Sequence, residues 1–118
     1  MPGGSAQRGD IYEVHRNATR EFDQKERRRM VCVAELPDES TWRAMARITT
    51  ANQPDDLPSP QQNELKLTRP GWWTTRFIRA VRKDLTGRRS VCDYKSTLPE
   101  PLRTAVLAHY MNRPRPMA

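Results

Sequence analysis

At 118 residues, with 36% hydrophobic content and a mean hydropathy of -0.91, the chain is enough for one domain with a modest core and long polar loops. No run approaches the roughly 18 consecutive apolar residues of a membrane helix, and Met1-Pro2-Gly3-Gly4-Ser5 is not an apolar signal segment, so a soluble, cytoplasmic protein without a membrane partner is expected. The net charge of +7 is uneven: residues 1–60 hold nine Lys/Arg against ten Asp/Glu, and residues 61–118 hold twelve against four, so a polyanion would meet the second half first.

Residues 1–7 read as a flexible leader, and the domain as residues 8–111. Arg8-Gly9-Asp10 is a turn that opens a strand over Ile11 to Val14. From His15 to Arg28 the alternation is lost and charges of both signs mix, which predicts a long loop with Phe22 as its one large apolar residue. His15, at the base of that loop, is either a hydrogen-bonded surface residue or an acid–base group near neutral pH.

Arg27-Arg28-Arg29 then runs straight into Met30-Val31-Cys32-Val33-Ala34. The apolar run predicts a central strand, and the arginines its rim. A guanidinium held there has a rigid donor fork that matches two phosphate oxygens; the plainer reading is three arginines on a solvated loop. After a turn at Leu36–Ser40, alternation from Trp42 to Thr50 puts Trp42, Ala44, Ala46 and Ile48 on one face. Arg43, Met45, Arg47 and Thr49 fall on the other, which lets the Thr49 hydroxyl and two guanidiniums line one groove; the plainer reading is an ordinary half-exposed strand with a polar outer face.

Residues 51–62 read as loop and 64–68 as a short strand with Leu65 and Leu67 inward. Arg69-Pro70-Gly71 breaks the pattern and presents Trp72 and Trp73. One faces the core and the other is left as a stacking platform or a partner anchor. A strand over Thr74–Arg82 carries Arg76 and Arg79; a basic turn around Gly87 and a brief strand at Val91–Tyr94 follow. Thr97 and Glu100 have capping-box spacing for a helix ending near Met111, with Leu102, Ala105, Val106 and His109 or Tyr110 on its apolar stripe. Residues 112–118 form a tail. Cys32 and Cys92 are too few for a disulfide framework or zinc site and read as small buried hydrophobes.

This order makes the fold mainly β: a small barrel of five or more strands with a C-terminal α-helix. The residues that carry it resemble the PemK/MazF family of toxin–antitoxin ribonucleases. Arg8-Gly9-Asp10-Ile11-Tyr12-Glu13-Val14 is similar to the family's opening strand, and Arg29-Met30-Val31-Cys32-Val33 to its second, with Met30 where proline is usual. Ala46-Arg47-Ile48-Thr49-Thr50 and Ile78-Arg79-Ala80-Val81-Arg82-Lys83-Asp84-Leu85 resemble two later segments. The resemblance implies an SH3-like barrel that forms a homodimer. It implies metal-independent cleavage of single-stranded RNA at a short preferred sequence, and neutralisation by a small antitoxin protein. It places the family's arginine on Arg29 and its threonine on Thr49, with Thr50 one residue away.

RNA carries its own nucleophile, the 2′-hydroxyl, whose attack on the adjacent phosphorus yields a 2′,3′-cyclic phosphate and a 5′-hydroxyl. The protein then has to align the backbone, stabilise phosphoryl charge and manage two protons. Arg29, Thr49 and Thr50 are the candidate catalytic residues. His15, Arg27, Arg28, Arg43, Arg47, Arg76 and Arg79 are candidate RNA grips, and Trp72 or Trp73 a base stack. No metal-ligand cluster or phosphate-loop motif occurs, so no cofactor or metal is expected. The alternatives are a non-catalytic nucleic-acid-binding barrel on the same basic face and a protein-interaction module.

Overall fold

The computed structural model describes residues 6–19, 26–51 and 53–114; Phe22 and its neighbours at 20–25, the middle of the loop expected from His15 to Arg28, lie outside them. Six strands, β1 (Asp10–His15), β2 (Arg27–Ala34), β3 (Thr41–Ile48), β4 (Leu57–Ser59), β5 (Gly71–Arg82) and β6 (Cys92–Thr97), precede one helix, α1 (Leu102–Met111). They form one antiparallel sheet in the order β4-β5-β3-β2-β1-β6. The sheet is curled into a half-barrel, the mainly β architecture with a C-terminal helix that the sequence implies. No described helix is long and apolar enough to cross a membrane.

Alternation in β2 sends Met30 and Cys32 to one side of the sheet and Val31 and Val33 to the other, and all four are buried. The first side holds Tyr12, Val14, Trp42, Ala44, Ala46, Val81 and Cys92. There Tyr12 packs against Trp42 at 5.3 Å and Tyr94 at 5.6 Å between ring centroids, and the Trp42 indole donates to Thr86 Oγ1 at 2.8 Å. A bridge between Thr19, just past β1, and Val81 of β5 spans this side, which fixes the direction of the curl. The second side holds Ile11, Val31, Met45 and Trp73 beneath Leu65, Leu67 and Leu98 and beneath Val106 of α1.

Several expectations are corrected here. The outer face of β3 is not half exposed: Met45 is fully buried and Arg47 nearly so, because a strand in the middle of this sheet is covered on both sides. Residues 64–68 are not a strand. Leu65 and Leu67 are buried by a short 3-10 turn, Asn63–Leu65, followed by Lys66 in the left-handed region at φ 61°. The loop assigned to 51–62 contains β4, and Trp72 and Trp73 lie within β5 rather than before it. The capping box does not form. Thr97 belongs to β6 and donates from Oγ1 to Asp10 Oδ1 at 2.7 Å, and Glu100 instead accepts from the Thr104 N–H at 2.9 Å, so the helix begins at Leu102. The expected leader is already packed at Ala6, which is buried in the core. Cys32 and Cys92 are free and buried, as read from the sequence.

Candidate functional site

At one end of β2 and β3 the sheet opens into a cleft of about 620 Å³. Its lining includes Arg27, Arg28 and Arg29 of β2, Arg47 and Ile48 of β3, Thr49 and Thr50 just beyond it, and Lys66 and Arg69 from the connection to β5. Among the described residues, six cationic side chains line it and Glu13 is the one acidic residue. Hydroxyls of Thr49, Thr50 and Thr68 complete a surface suited to an oxyanion. Among the described residues no three His, Cys, Asp or Glu side chains gather in a metal-binding group.

Arg29 is held from two directions. It pairs across the ladder with Glu13 of β1, and its Nη1 donates to Glu13 Oε2 in an ion pair. Its Nε donates to the Lys66 carbonyl at 3.2 Å. The side chain lines the cleft and is 24% exposed. A guanidinium anchored at Nε and Nη1 loses less rotamer freedom when it meets a phosphate than a free arginine does.

Arg47 has a different role. Its Nε donates to Ser59 Oγ at 2.9 Å, and its Nη2 donates to the Ser59 and Arg69 carbonyls at 2.7 and 2.6 Å. Burial, and secondarily the nearby Arg29 charge, lower its pKa. The guanidinium ties β4 to the segment entering β5 and supports the cleft floor. Gly71 allows this: a Cβ there would stand 2.6 Å from the Ile48 carbonyl oxygen and 3.0 Å from Arg47 Cζ. Its absence of a side chain serves close approach, beyond the break that Pro70-Gly71 suggests in sequence.

Phe77 reaches the cleft through an irregularity. Ala46 pairs with Thr74 and Met45 with Ile78, so Thr75, Arg76 and Phe77 bulge from β5 with no β3 residues opposite them. The Arg76 N–H donates to Thr74 Oγ1 at 3.2 Å, bracing the bulge. Guanidiniums of Arg28, Arg79 and Arg76 lie 5.4, 5.3 and 6.0 Å from the centre of the Phe77 ring.

The candidates named from sequence therefore divide. Arg27, Arg28, Arg29, Arg47, Thr49 and Thr50 line one cleft, while Arg76 and Arg79 flank its Phe77 wall. His15 lies outside the lining. Its Nδ1 accepts from the Asn17 N–H at 3.1 Å and its Nε2 faces Glu26 at 3.4 Å. Arg43 is near the far end of β3, bonded to Thr41 Oγ1 at 2.9 Å and 3.5 Å from Glu39. Trp73 is buried in the core and Trp72 half-buried on β5, away from the lining, so among the described residues the aromatic ring in the cleft lining is that of Phe77. Glu13, Lys66, Arg69 and Phe77 were not singled out as site residues. For Glu13 the available signal was its place in a strand beside the arginine strand.

In comparison with known proteins, the chain matches no family model and no curated sequence.

Proposed function

We propose that the chain is an endoribonuclease of the PemK/MazF toxin kind. It cuts single-stranded RNA without a metal by 2′-hydroxyl attack, leaving a 2′,3′-cyclic phosphate and a 5′-hydroxyl. It acts as a homodimer and is neutralised by a small antitoxin that covers the cleft. The observation that supports this most directly is the convergence of Arg29 with Thr49 and Thr50 in a cleft where, among the described residues, cations outnumber carboxylates six to one. The phosphate meets the Arg29 guanidinium and a threonine hydroxyl, which stabilise charge building on the phosphoryl oxygens. Arg27, Arg28 and Lys66 hold the flanking backbone, and Phe77 stacks a base. Arg43 and Trp73 take no part in this version of the site, and Arg47 acts as a strut.

The test is cleavage of a randomised single-stranded RNA pool with chelator present, followed by mapping of the ends. Cyclic phosphate and 5′-hydroxyl termini are expected, and Arg29→Ala removes cleavage while the protein stays folded. Deoxy substitution at the scissile nucleotide stops cutting there. Unchanged cleavage by folded Arg29→Ala removes the mechanism. Salt-sensitive RNA retention without product would instead favour the non-catalytic binding barrel.

A further inference from the structure

We infer that Glu13 is the general base of this cleft, taking the proton from the attacking 2′-hydroxyl. The inference rests on the ribonuclease reading above and supplies what Arg29 cannot. A guanidinium keeps its proton to above about pH 12, a threonine hydroxyl has no useful basicity, and a lysine ammonium has no free lone pair. Among the described residues the cleft lining contains no histidine, and Glu13 is its one carboxylate.

The geometry gives that carboxylate an unusual position. It sits on β1 directly across the ladder from Arg29, touches Nη1 of the same guanidinium, and is 31% exposed at the cleft wall. Tyr12 and Val14, its chain neighbours, point into the core on the opposite side of the sheet, which fixes the strand and aims Glu13 into the cleft. A phosphate seated on Arg29 carries its vicinal 2′-oxygen to the edge of the guanidinium that the carboxylate occupies, within the reach that proton transfer requires. The same ion pair keeps Arg29 from standing uncompensated beside the five other cations among the described lining residues.

In the step itself, Glu13 Oε2 accepts the 2′-hydroxyl proton as O2′ forms its bond to phosphorus. The phosphorus–O5′ bond breaks, its electron pair leaves on O5′, and that oxygen takes a proton from water. The resulting hydroxide removes the proton from Glu13, which restores the carboxylate.

Glu13→Gln separates this role from a structural one, because the amide oxygen still accepts from Arg29 but is not a base. On the randomised RNA pool, kcat is expected to fall by about 100-fold or more. KM, and affinity for a 2′-O-methyl version of the pool, should stay within about threefold of wild type. Formate should restore cleavage to Glu13→Ala in a concentration-dependent way that sodium chloride at equal ionic strength does not reproduce. A kcat for Glu13→Gln within about threefold of wild type overturns the assignment, and so does a loss confined to KM. If Glu13→Gln does not fold, the response of Glu13→Ala to formate decides: restored cleavage supports the base and no response overturns it. Absence of cleavage by the wild-type protein removes both this inference and the ribonuclease reading, whereas cleavage that survives in Glu13→Gln removes this inference alone.

Discussion

Arg47 and Ser59 are joined twice, Nε to the hydroxyl at 2.9 Å and Nη2 to the carbonyl at 2.7 Å, across the gap between β3 and β4. These two strands are not neighbours in the sheet; β5 lies between them. The guanidinium thus staples a three-residue edge strand that contains proline at its middle position. Arg47→Met leaves the Ser59 and Arg69 carbonyls without this donor, and Arg47→Lys cannot span both with a planar fork. Either change is expected to lower stability by about 2–4 kcal/mol, read as a lower urea midpoint at unchanged slope. Loss of cleavage should follow loss of structure, and cleavage should return under conditions that restore the fold. An Arg47→Lys protein that is as stable as wild type but inactive would make Arg47 a substrate grip instead.

Gly71 is the counterpart on β5. A methyl group there meets the Ile48 carbonyl oxygen at 2.6 Å, and backbone on a paired strand cannot move aside as a side-chain tip can. Gly71→Ala is expected to cost about 1–3 kcal/mol from this crowding. Gly87, at φ +87° with nothing within 4 Å of its built Cβ, provides a contrast, since Gly87→Ala costs only the left-handed backbone strain, about 1 kcal/mol. Equal midpoints for Gly71→Ala and wild type would show that β3 and β5 can separate more easily than their ladder suggests.

The same particulars explain what could be read in the sequence. β2 was legible because four consecutive buried apolar residues have few other places to go. That Arg29, Thr49 and Thr50 meet in one cleft was legible from their places at the ends of β2 and β3. β4 was not, since Leu57-Pro58-Ser59 carries a proline that only an edge accepts. Residues 64–68 misled because Leu65 and Leu67 alternate as in a strand while Lys66, in the left-handed region, turns the chain between them. Phe77 was hidden by a bulge of three residues, which breaks the period-two rule where the side chain changes face. Glu13 looked like the polar side of a half-buried strand, and its nearness to Arg29 depends on the register between β1 and β2.

The two buried thiols predict how stability varies in alkaline solution. Burial pushes Cys32 and Cys92 from the usual value near 9 up to about 12, and burial also raises Tyr12. Each thiol therefore keeps its proton in the folded chain where the unfolded chain has lost it. The native state binds more protons across this interval, so stability is fully present below about pH 9 and declines as pH rises toward 12. Each thiol contributes a slope of up to about 1.4 kcal/mol per pH unit. Urea midpoints across this range check it. Cys32→Ala and Cys92→Ala should each flatten the decline, though each also lowers the starting stability by leaving a small cavity. A flat profile in the wild type would mean that water reaches these sulfurs.

Phe77 offers a test of the cleft that does not depend on catalysis. Its ring stands at the cleft wall within 6.0 Å of three guanidiniums. If it stacks a base, Phe77→Ala weakens binding of a 2′-O-methyl single-stranded pool by about 1–3 kcal/mol, while Phe77→Trp retains it. The salt dependence of binding should be little changed, because no phosphate contact is removed. Arg28→Ala should behave differently and reduce the slope of log affinity against log salt by about one counterion. The ring also packs partly against the core, so affinities are compared only where denaturation shows each variant folded. A folded Phe77→Ala protein that binds as wild type does would move the stacking site elsewhere, and half-buried Trp72 would be the next residue to change.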